Sequence, residues 1–233
     1  MKRLKFEETI VQSELKHLPC LTNIYIHLVS NHPCEHPYQR FLRNKKASQL
    51  LADYVDYYVY RSGLSQIQPN PQTALYLSRS DSTKRRIINQ DEVIRIVEEE
   101  GFNVTTVVLT GMGKEETHKL MRTASLVFGP HGAGFANTLV CAKGTTILET
   151  HPWGFQKYGY AFISKTLGFH YLYWNAPDES YTNHTAESLE IHTKSKAHRS
   201  TSDKKNLFRH RDMWVDTVAF RKLVKKAAVN AKT

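Results

Sequence analysis

Cysteine is scarce in this chain of 233 residues, occurring three times, at positions 20, 34 and 141. An odd count with no CxxC pair excludes a disulfide-dense scaffold and allows at most one internal bridge. Cys20 and Cys34 lie in one loop-rich region, where they either pair in an oxidising compartment or stay reduced. The run His32-Pro33-Cys34-Glu35-His36 groups ligand types, but a fourth ligand would have to come from Cys20 or His27, so no metal is assigned. Long apolar stretches are also missing. No run of eighteen apolar residues occurs, so nothing reads as a bilayer span. The first eight residues are charged and lack the apolar stretch of a signal peptide, which leaves either a cytosolic chain or a piece whose anchor lies elsewhere. Acid is in short supply: 22 Asp and Glu stand against 32 Lys and Arg, a formal charge of +10. That excess favours an anionic partner. Basic residues cluster at Lys84-Arg85-Arg86, between Lys194 and Arg211, and at Arg221-Lys222 with Lys225-Lys226. No aromatics are interleaved with them and no known module frames them, so nucleic acid is not the expected partner.

What is present suits a sizeable core. Forty per cent of the residues are hydrophobic and eleven per cent aromatic, and the length fits one large domain, or one domain with part of another. Residues 1–70 read differently from the rest. Ile24 to Val29 makes a short strand, Asn31 to Tyr38 a Pro- and His-rich loop, and 39–62 a helix with apolar positions at Phe41, Leu42, Leu50, Leu51, Tyr54, Val55 and Tyr58. Gln66 to Gln72, with Pro69 and Pro71, reads as a linker. From residue 73 strands and helices alternate. Strands are expected at 73–78, 103–110, 126–129, 145–149 and 170–174. Helices are expected at 91–100, stopped by Gly101, at 113–124, and at 155–167, closed by Gly168. Asn89 is placed to cap the first of these, with Glu92 three residues on. The strands are short Val/Ile/Leu runs without a polar alternate face, which argues for a Rossmann-like parallel sheet covered on both sides, with ligands at the carboxyl ends of its strands. Residues 178–212 are polar and read as a long loop, partly disordered; a last helix over about 212–228 packs back through Ala219, Leu223 and Ala227.

The densest signal is Phe128-Gly129-Pro130-His131-Gly132-Ala133-Gly134-Phe135-Ala136-Asn137. A buried strand breaks at Gly-Pro and re-enters a short helix through two glycines, so the first turn offers bare N–H groups and a positive partial charge. That is a seat for a phosphate. Gly132, Ala133 and Gly134 let backbone approach it; alternatively the turn only packs helix on strand. His131 is placed to donate to a leaving phosphate or to cap the turn. Asn137 either contacts the ligand or caps. Arg79, with Arg85 or Arg86, leaves the first strand on the ligand edge, where guanidinium forks suit a diphosphate. Glu149 ends a strand, where it either accepts ribose hydroxyls or pairs with a structural arginine. The loop from His151 to Phe155 stacks on a base or sugar, or packs in the core.

Three elements in fixed order carry a resemblance: Leu77-Ser78-Arg79 with Arg85-Arg86-Ile87-Ile88-Asn89, then Gly129 to Asn137, then Gly144-Thr145-Thr146-Ile147-Leu148-Glu149. Together they resemble glycosyltransferase family 61, best over 73–175. The resemblance implies an inverting hexosyl- or pentosyltransferase of GT-B architecture, with residues 71–233 as the Rossmann-like nucleotide-sugar-binding domain and 1–70 as a remnant or shortened form of the acceptor-side domain. It implies a UDP-sugar donor, a glycan or glycoprotein acceptor and no metal cofactor, with Arg79, Arg85, Arg86, His131, Gly132, Ala133, Gly134, Asn137 and Glu149 at the donor. It also implies residence in the Golgi or endoplasmic reticulum lumen behind a membrane anchor that this chain does not show; a chain complete as it stands would be cytoplasmic. The sequons Asn103-Val104-Thr105 and Asn183-His184-Thr185 allow lumenal glycosylation. Inversion needs a base for the acceptor hydroxyl; Glu35, His36, Asp53 and Asp56 are candidates, and none is assigned. The competing readings are a nucleotide- or phosphate-binding domain without catalysis and a basic nucleic-acid binder, the latter marked by steep salt dependence.

Overall fold

The computed structural model describes residues 45–233, apart from 195–197, 199 and 233. The expected strand at 24–29, the loop at 31–38 and the candidates Cys20, His27, His32, Cys34, Glu35 and His36 lie outside the described residues. The expected 39–62 helix is seen from Lys45 to Arg61 (α1).

Five strands follow: β1 (Asn70–Leu77), β2 (Asn103–Val107), β3 (Ala124–Pro130), β4 (Thr146–His151) and β5 (His170–Asn175). They form one sheet in the order β2-β1-β3-β4-β5, and every pairing is parallel. The sheet is the Rossmann-like one expected. Parallel strands need crossovers, and these are α2 (Gln90–Glu99), α3 (Lys114–Thr123), a 3₁₀ helix (Ala133–Val140) and α4 (Gly159–Leu167). Every residue of β3 and of β4 is buried. Such runs show no polar alternation because helices cover both faces.

Strand register sorts the core into two layers. Ala74, Tyr76, Leu126, Phe128, Leu148 and Trp174 face one way, against Val93, Ile96 and Val97 of α2 and Phe220, Val224 and Ala227 of the last helix, α7 (Thr217–Asn230). Leu75, Val127 and Ile147 are cross-strand neighbours on the opposite face, which α3, the 3₁₀ helix and α4 cover. Polar residues of the candidate site continue this second face toward the carboxyl ends of the strands, with Glu149 and His151 following Ile147 along β4.

Several boundaries move for physical reasons. The linker expected at 66–72 gives its last three residues to β1, whose register with β3 shifts between Asn70 and Ala74. Ser125 Oγ donates to the carbonyls of Pro71 and Thr73 and holds that irregular stretch. Asn89 sits at the N-cap of α2 but makes no capping bond. Its amide instead donates to the Val215 carbonyl and its carbonyl accepts from the Val215 N–H, both at 2.9 Å. Residues 178–212 are not one loop: they hold β6 (Thr182–Asn183), α5 (Ala186–Thr193) and α6 (Thr201–Arg209). Both helices open with capping boxes, Thr185 with Ser188 and Ser200 with Asp203. A polar composition conceals helices whose stop and start signals are themselves Ser and Thr. The strand β7 (Asp212–Met213) pairs with β6 and lies ahead of α7, which therefore starts five residues later than expected.

Candidate functional site

In a sheet of this order the chain leaves β1 toward β2 and returns on the other side as β3, and the crevice outside those strand ends is where ligands bind. A cavity of about 440 Å³ lies there, walled by Leu77, Ser78 and Arg79 at the end of β1, Thr110 after β2, and Pro130, Gly132, Gly134 and Phe135 at the end of β3. The turn at its floor depends on Gly129. Its φ is +150°, and a Cβ there would stand 2.7 Å from the Leu77 carbonyl oxygen of β1. Only glycine allows the two strands to run that close at this bend.

Beyond the turn, the first closed 3₁₀ ring joins Phe135 N–H to the Gly132 carbonyl at 3.2 Å. The N–H groups of Ala133 and Gly134 therefore precede the helix's own bonding. Ala133 is exposed and Gly132 buried. Arg79 lies over Gly132: a Cβ on that glycine would meet Arg79 Nη1 at 2.8 Å. Its guanidinium is steered by Nε donating to the Lys84 carbonyl and Nη2 to Ser82 Oγ. Arg79, Gly132 and Gly134 are thus brought together at the cavity.

Behind the turn stands a closed polar group. His131 Nδ1 is 2.7 Å from Glu149 Oε1, and Tyr171 donates its hydroxyl to Glu149 Oε2 at 2.6 Å. The His131 ring stacks on His151, with Phe155 and Tyr160 around it, and Tyr160 donates to the Gly132 carbonyl at 2.9 Å. Burial, then the charges of Arg85, Lys157, Arg209 and Arg79, drive His131 well below the usual imidazole range. Burial pushes Glu149 up to about 7, against the pull of His151 and the Tyr171 hydroxyl. Burial likewise lowers His151 to about 4. The imidazoles are therefore neutral at pH 7. Neither ring nitrogen of His151 reaches a partner at hydrogen-bond geometry; the backbone at Trp174 and Lys157 lies near enough only to favour its charged form.

The other expected residues fall as follows. Arg85 is buried, adopts φ +59°, and donates through Nη1 to the His131 carbonyl at 3.1 Å, so it grips the turn near Arg79. Arg86 turns elsewhere, where the Asp212 carboxylate accepts from its N–H, Nε and Nη2. Asn137 donates to the Gly134 carbonyl and secures its own turn. Glu149 is fully buried with both oxygens engaged, so it faces no ribose here; its partner is a histidine rather than an arginine. His151 belongs to the end of β4 instead of the loop after it. Asp53 and Asp56 sit on α1 and line no part of the cavity. Asn103 and Asn183 are exposed, at the entry of β2 and in β6.

Sequence reading missed Asp81, whose carboxylate accepts from the Thr110 hydroxyl at the cavity rim, and also Ser82, Tyr160 and Arg209. The Ser78-Arg79-Ser80-Asp81-Ser82 run was the available signal, since hydroxyls and a carboxylate follow a buried strand there. Among the described residues, His131, Glu149 and His151 are the one group whose ligand-type atoms gather as for a metal ion, within 4.8 Å of one another. Four basic side chains bear on that spot, which opposes a dication and favours an anion nearby.

No helix of the described residues is long and apolar enough to cross a membrane. A family described as glycosyltransferase 61 matches residues 17–148, more than half of the chain. Beta-1,2-xylosyltransferase XAX1 of Oryza sativa subsp. japonica is 28% identical over 134 residues, 54% of this chain and 22% of its own length. Alpha-1,3-arabinosyltransferase XAT2 of the same organism is 26% identical over 119 residues, 50% of this chain and 18% of its own. The match thus spans about a fifth of each of these relatives.

Proposed function

The chain belongs to glycosyltransferase family 61, and from that premise we propose that residues 71–233 form the donor-binding half of an inverting, GT-B-type glycosyltransferase. Residues 1–70 then belong to the acceptor side. The observation that carries this reading is the cavity at the β1/β3 strand ends, where Arg79 lies over a turn with unengaged N–H groups. A diphosphate fits that chemistry: helix N–H groups and a guanidinium fork neutralise it without a metal ion. Arg85 holds the turn in place and adds positive charge. Asp81 and Thr110 stand at the rim, placed for the hydroxyls of a nucleoside or sugar. Glu149 and Tyr171 act indirectly by fixing the His131 ring behind the turn.

In the reaction the acceptor hydroxyl attacks the anomeric carbon from the face opposite the leaving group. The bond from that carbon to the β-phosphate oxygen breaks, and the nucleoside diphosphate departs with the electron pair. Arg79 and the turn stabilise that leaving charge. The acceptor proton passes to a base on the other wall of the cleft, which this reading leaves unassigned. The relatives carry xylosyl- and arabinosyltransferase names, so UDP-pentoses are the first donors to test. A lumenal glycan or glycoprotein acceptor agrees with exposed sequons at Asn103 and Asn183.

Isothermal titration with UDP, UDP-xylose and UDP-arabinose tests the donor site. Wild type should bind at least one of them, and Arg79→Ala should weaken that binding by about tenfold or more, as for a lost charged hydrogen bond. No binding to any of them sinks the donor reading. A second reading is a nucleotide-binding domain without catalysis, since among the described residues the one carboxylate lining the cavity, Asp81, is engaged by Thr110. Release of UDP from a bound UDP-sugar separates the two, because a transferase hydrolyses its donor slowly and a binding module does not.

A further inference from the structure

We infer that Arg209, the last residue of α6, is a third anion-binding guanidinium of the donor site, supplied by a segment beyond the family match. This rests on the reading of the crevice as a diphosphate site and extends it.

The placement follows from packing. Phe208 lies against Gly154, where a Cβ would meet its ring at 2.7 Å, and edge-on to Trp153 at 5.4 Å between centroids. Those contacts pin the end of α6 to the loop after β4. The same loop sends Phe155 onto the His131 ring, 5.4 Å away. Arg209 thereby arrives beside the turn, and its charge is felt at Arg79, Arg85 and His131. Nε of Arg209 is buried without a hydrogen-bond partner, and so is Nε of Arg85. Arg85 is moreover the one described residue other than glycine with positive φ, a strained conformation that holds a buried cation toward the turn.

Three guanidinium groups from two segments, the loop after β1 and the end of α6, therefore bear on the glycine turn. Arg79 has Asp81 and Asp212 within electrostatic reach. For Arg85 burial is the main effect, followed by repulsion from Arg79 and Arg209, and only Tyr160 and the outlying Glu187 oppose it; it falls to about 9. A buried cluster of like charge with unused donors is costly on its own, and an anion with several oxygens relieves both costs. A diphosphate offers that; a neutral sugar does not. Arg209 should therefore weaken the empty protein and strengthen the occupied one.

UDP and inorganic pyrophosphate are titrated into wild type, Arg209→Gln, Arg209→Lys and Arg95→Gln, the last a charge control on the exposed face of α2. Melting temperatures are measured without ligand. Arg209→Gln should lose about tenfold or more in affinity for both ligands while melting no lower than wild type. Arg209→Lys should fall between them, and Arg95→Gln should bind as wild type does. Affinity of Arg209→Gln within twofold of Arg95→Gln overturns the inference, whatever its melting temperature. If affinity and melting temperature fall together, recovery of affinity in Arg209→Lys supports the inference, and recovery of melting temperature alone overturns it. Failure of wild type to bind either ligand overturns the donor reading itself.

Discussion

At the scale of single residues, Gly129 and the buried ionisable groups dominate. Gly129→Ala places a Cβ 2.7 Å from a strand carbonyl at a φ that L side chains rarely adopt. It should cost about 2–4 kcal/mol in urea unfolding, from backbone strain and overpacking together. An unchanged midpoint would mean that β1 and β3 can part there at no cost. The titrating groups pull the pH profile in opposite directions over nearly the same range. His151 is depressed to about 4 from an ordinary 6.5. Its contribution is complete above 6.5 and is lost as pH falls through 4, on the order of 3 kcal/mol in all. Glu149 is raised to about 7, so its contribution is complete below about 4.5 and is lost as pH rises through 7. His151→Phe should remove a rise in stability between about pH 4 and 6.5, and Glu149→Gln a fall between about pH 4.5 and 7, as read by denaturant midpoints between pH 4 and 9. A His151→Phe profile parallel to wild type below pH 6 would refute the assignment. Much at this scale was legible in the sequence. The glycines, Arg79 and His131 announced a tight turn at the strand ends, because Gly129 adopts a φ that favours glycine and Arg79 packs on Gly132. That Glu149 serves His131 was not legible, since a strand-end carboxylate looks the same whether it meets a ribose or an imidazole eighteen residues upstream.

Among the elements, the important join is between the loop carrying the arginines and the segment that leads into α7. Met213 N–H donates to the Arg86 carbonyl, Ile88 N–H donates to the Met213 carbonyl, Asp212 receives Arg86, and Val215 exchanges two bonds with Asn89. Asp212→Ala leaves the Arg86 N–H without its partner and should cost about 2 kcal/mol. It should also weaken donor binding, because residues 79–85 lose their anchor. Full stability with weakened binding would fit this picture less well than a loss of both. The helices α5 and α6 hang on their capping boxes, so Thr185→Ala should lower stability by about 1 kcal/mol, seen as a lower melting temperature. Strand and helix alternation from 73 to 175 was readable because β1, β3 and β4 centre on buried apolar runs and α2 and α4 stop at or beside a glycine. The stretch 178–212 was not, because its helices bury few apolar side chains and their caps resemble loop chemistry. The strap was equally invisible: Asn89 advertises a helix cap, and nothing local reveals that Val215 claims it.

For the whole molecule, the two core layers are unequal in sequence span. The layer under α3 and α4 draws on residues from α1 to Phe169, with Val55, Val59 and Leu64 buried on it. The other needs Phe220, Val224 and Ala227, none of them exposed. Ending the chain after residue 211 should remove on the order of 5–10 kcal/mol, comparable with the total stability of a domain. Near-ultraviolet circular dichroism should then show loss of fixed aromatic packing, and a sharp cooperative melt in that shortened chain would count against the argument. The net charge of +10 is divided between the arginines at the turn and lysines on the outer helices. It signalled an anionic partner without telling which basic residues meet it; Arg209 became legible only once α6 had been folded onto the loop after β4.

The strap between Arg86 and Asp212 joins positions 126 residues apart in the chain. On a ribosome, the arginine loop and the glycine turn emerge well before the residues that fix them. Ordering of the loop must wait for nearly the whole domain to be synthesised, because contacts so distant in sequence close late. A half-made chain therefore carries the parts of the crevice without the means to hold them, and the loop takes its final shape only as the fold is finished.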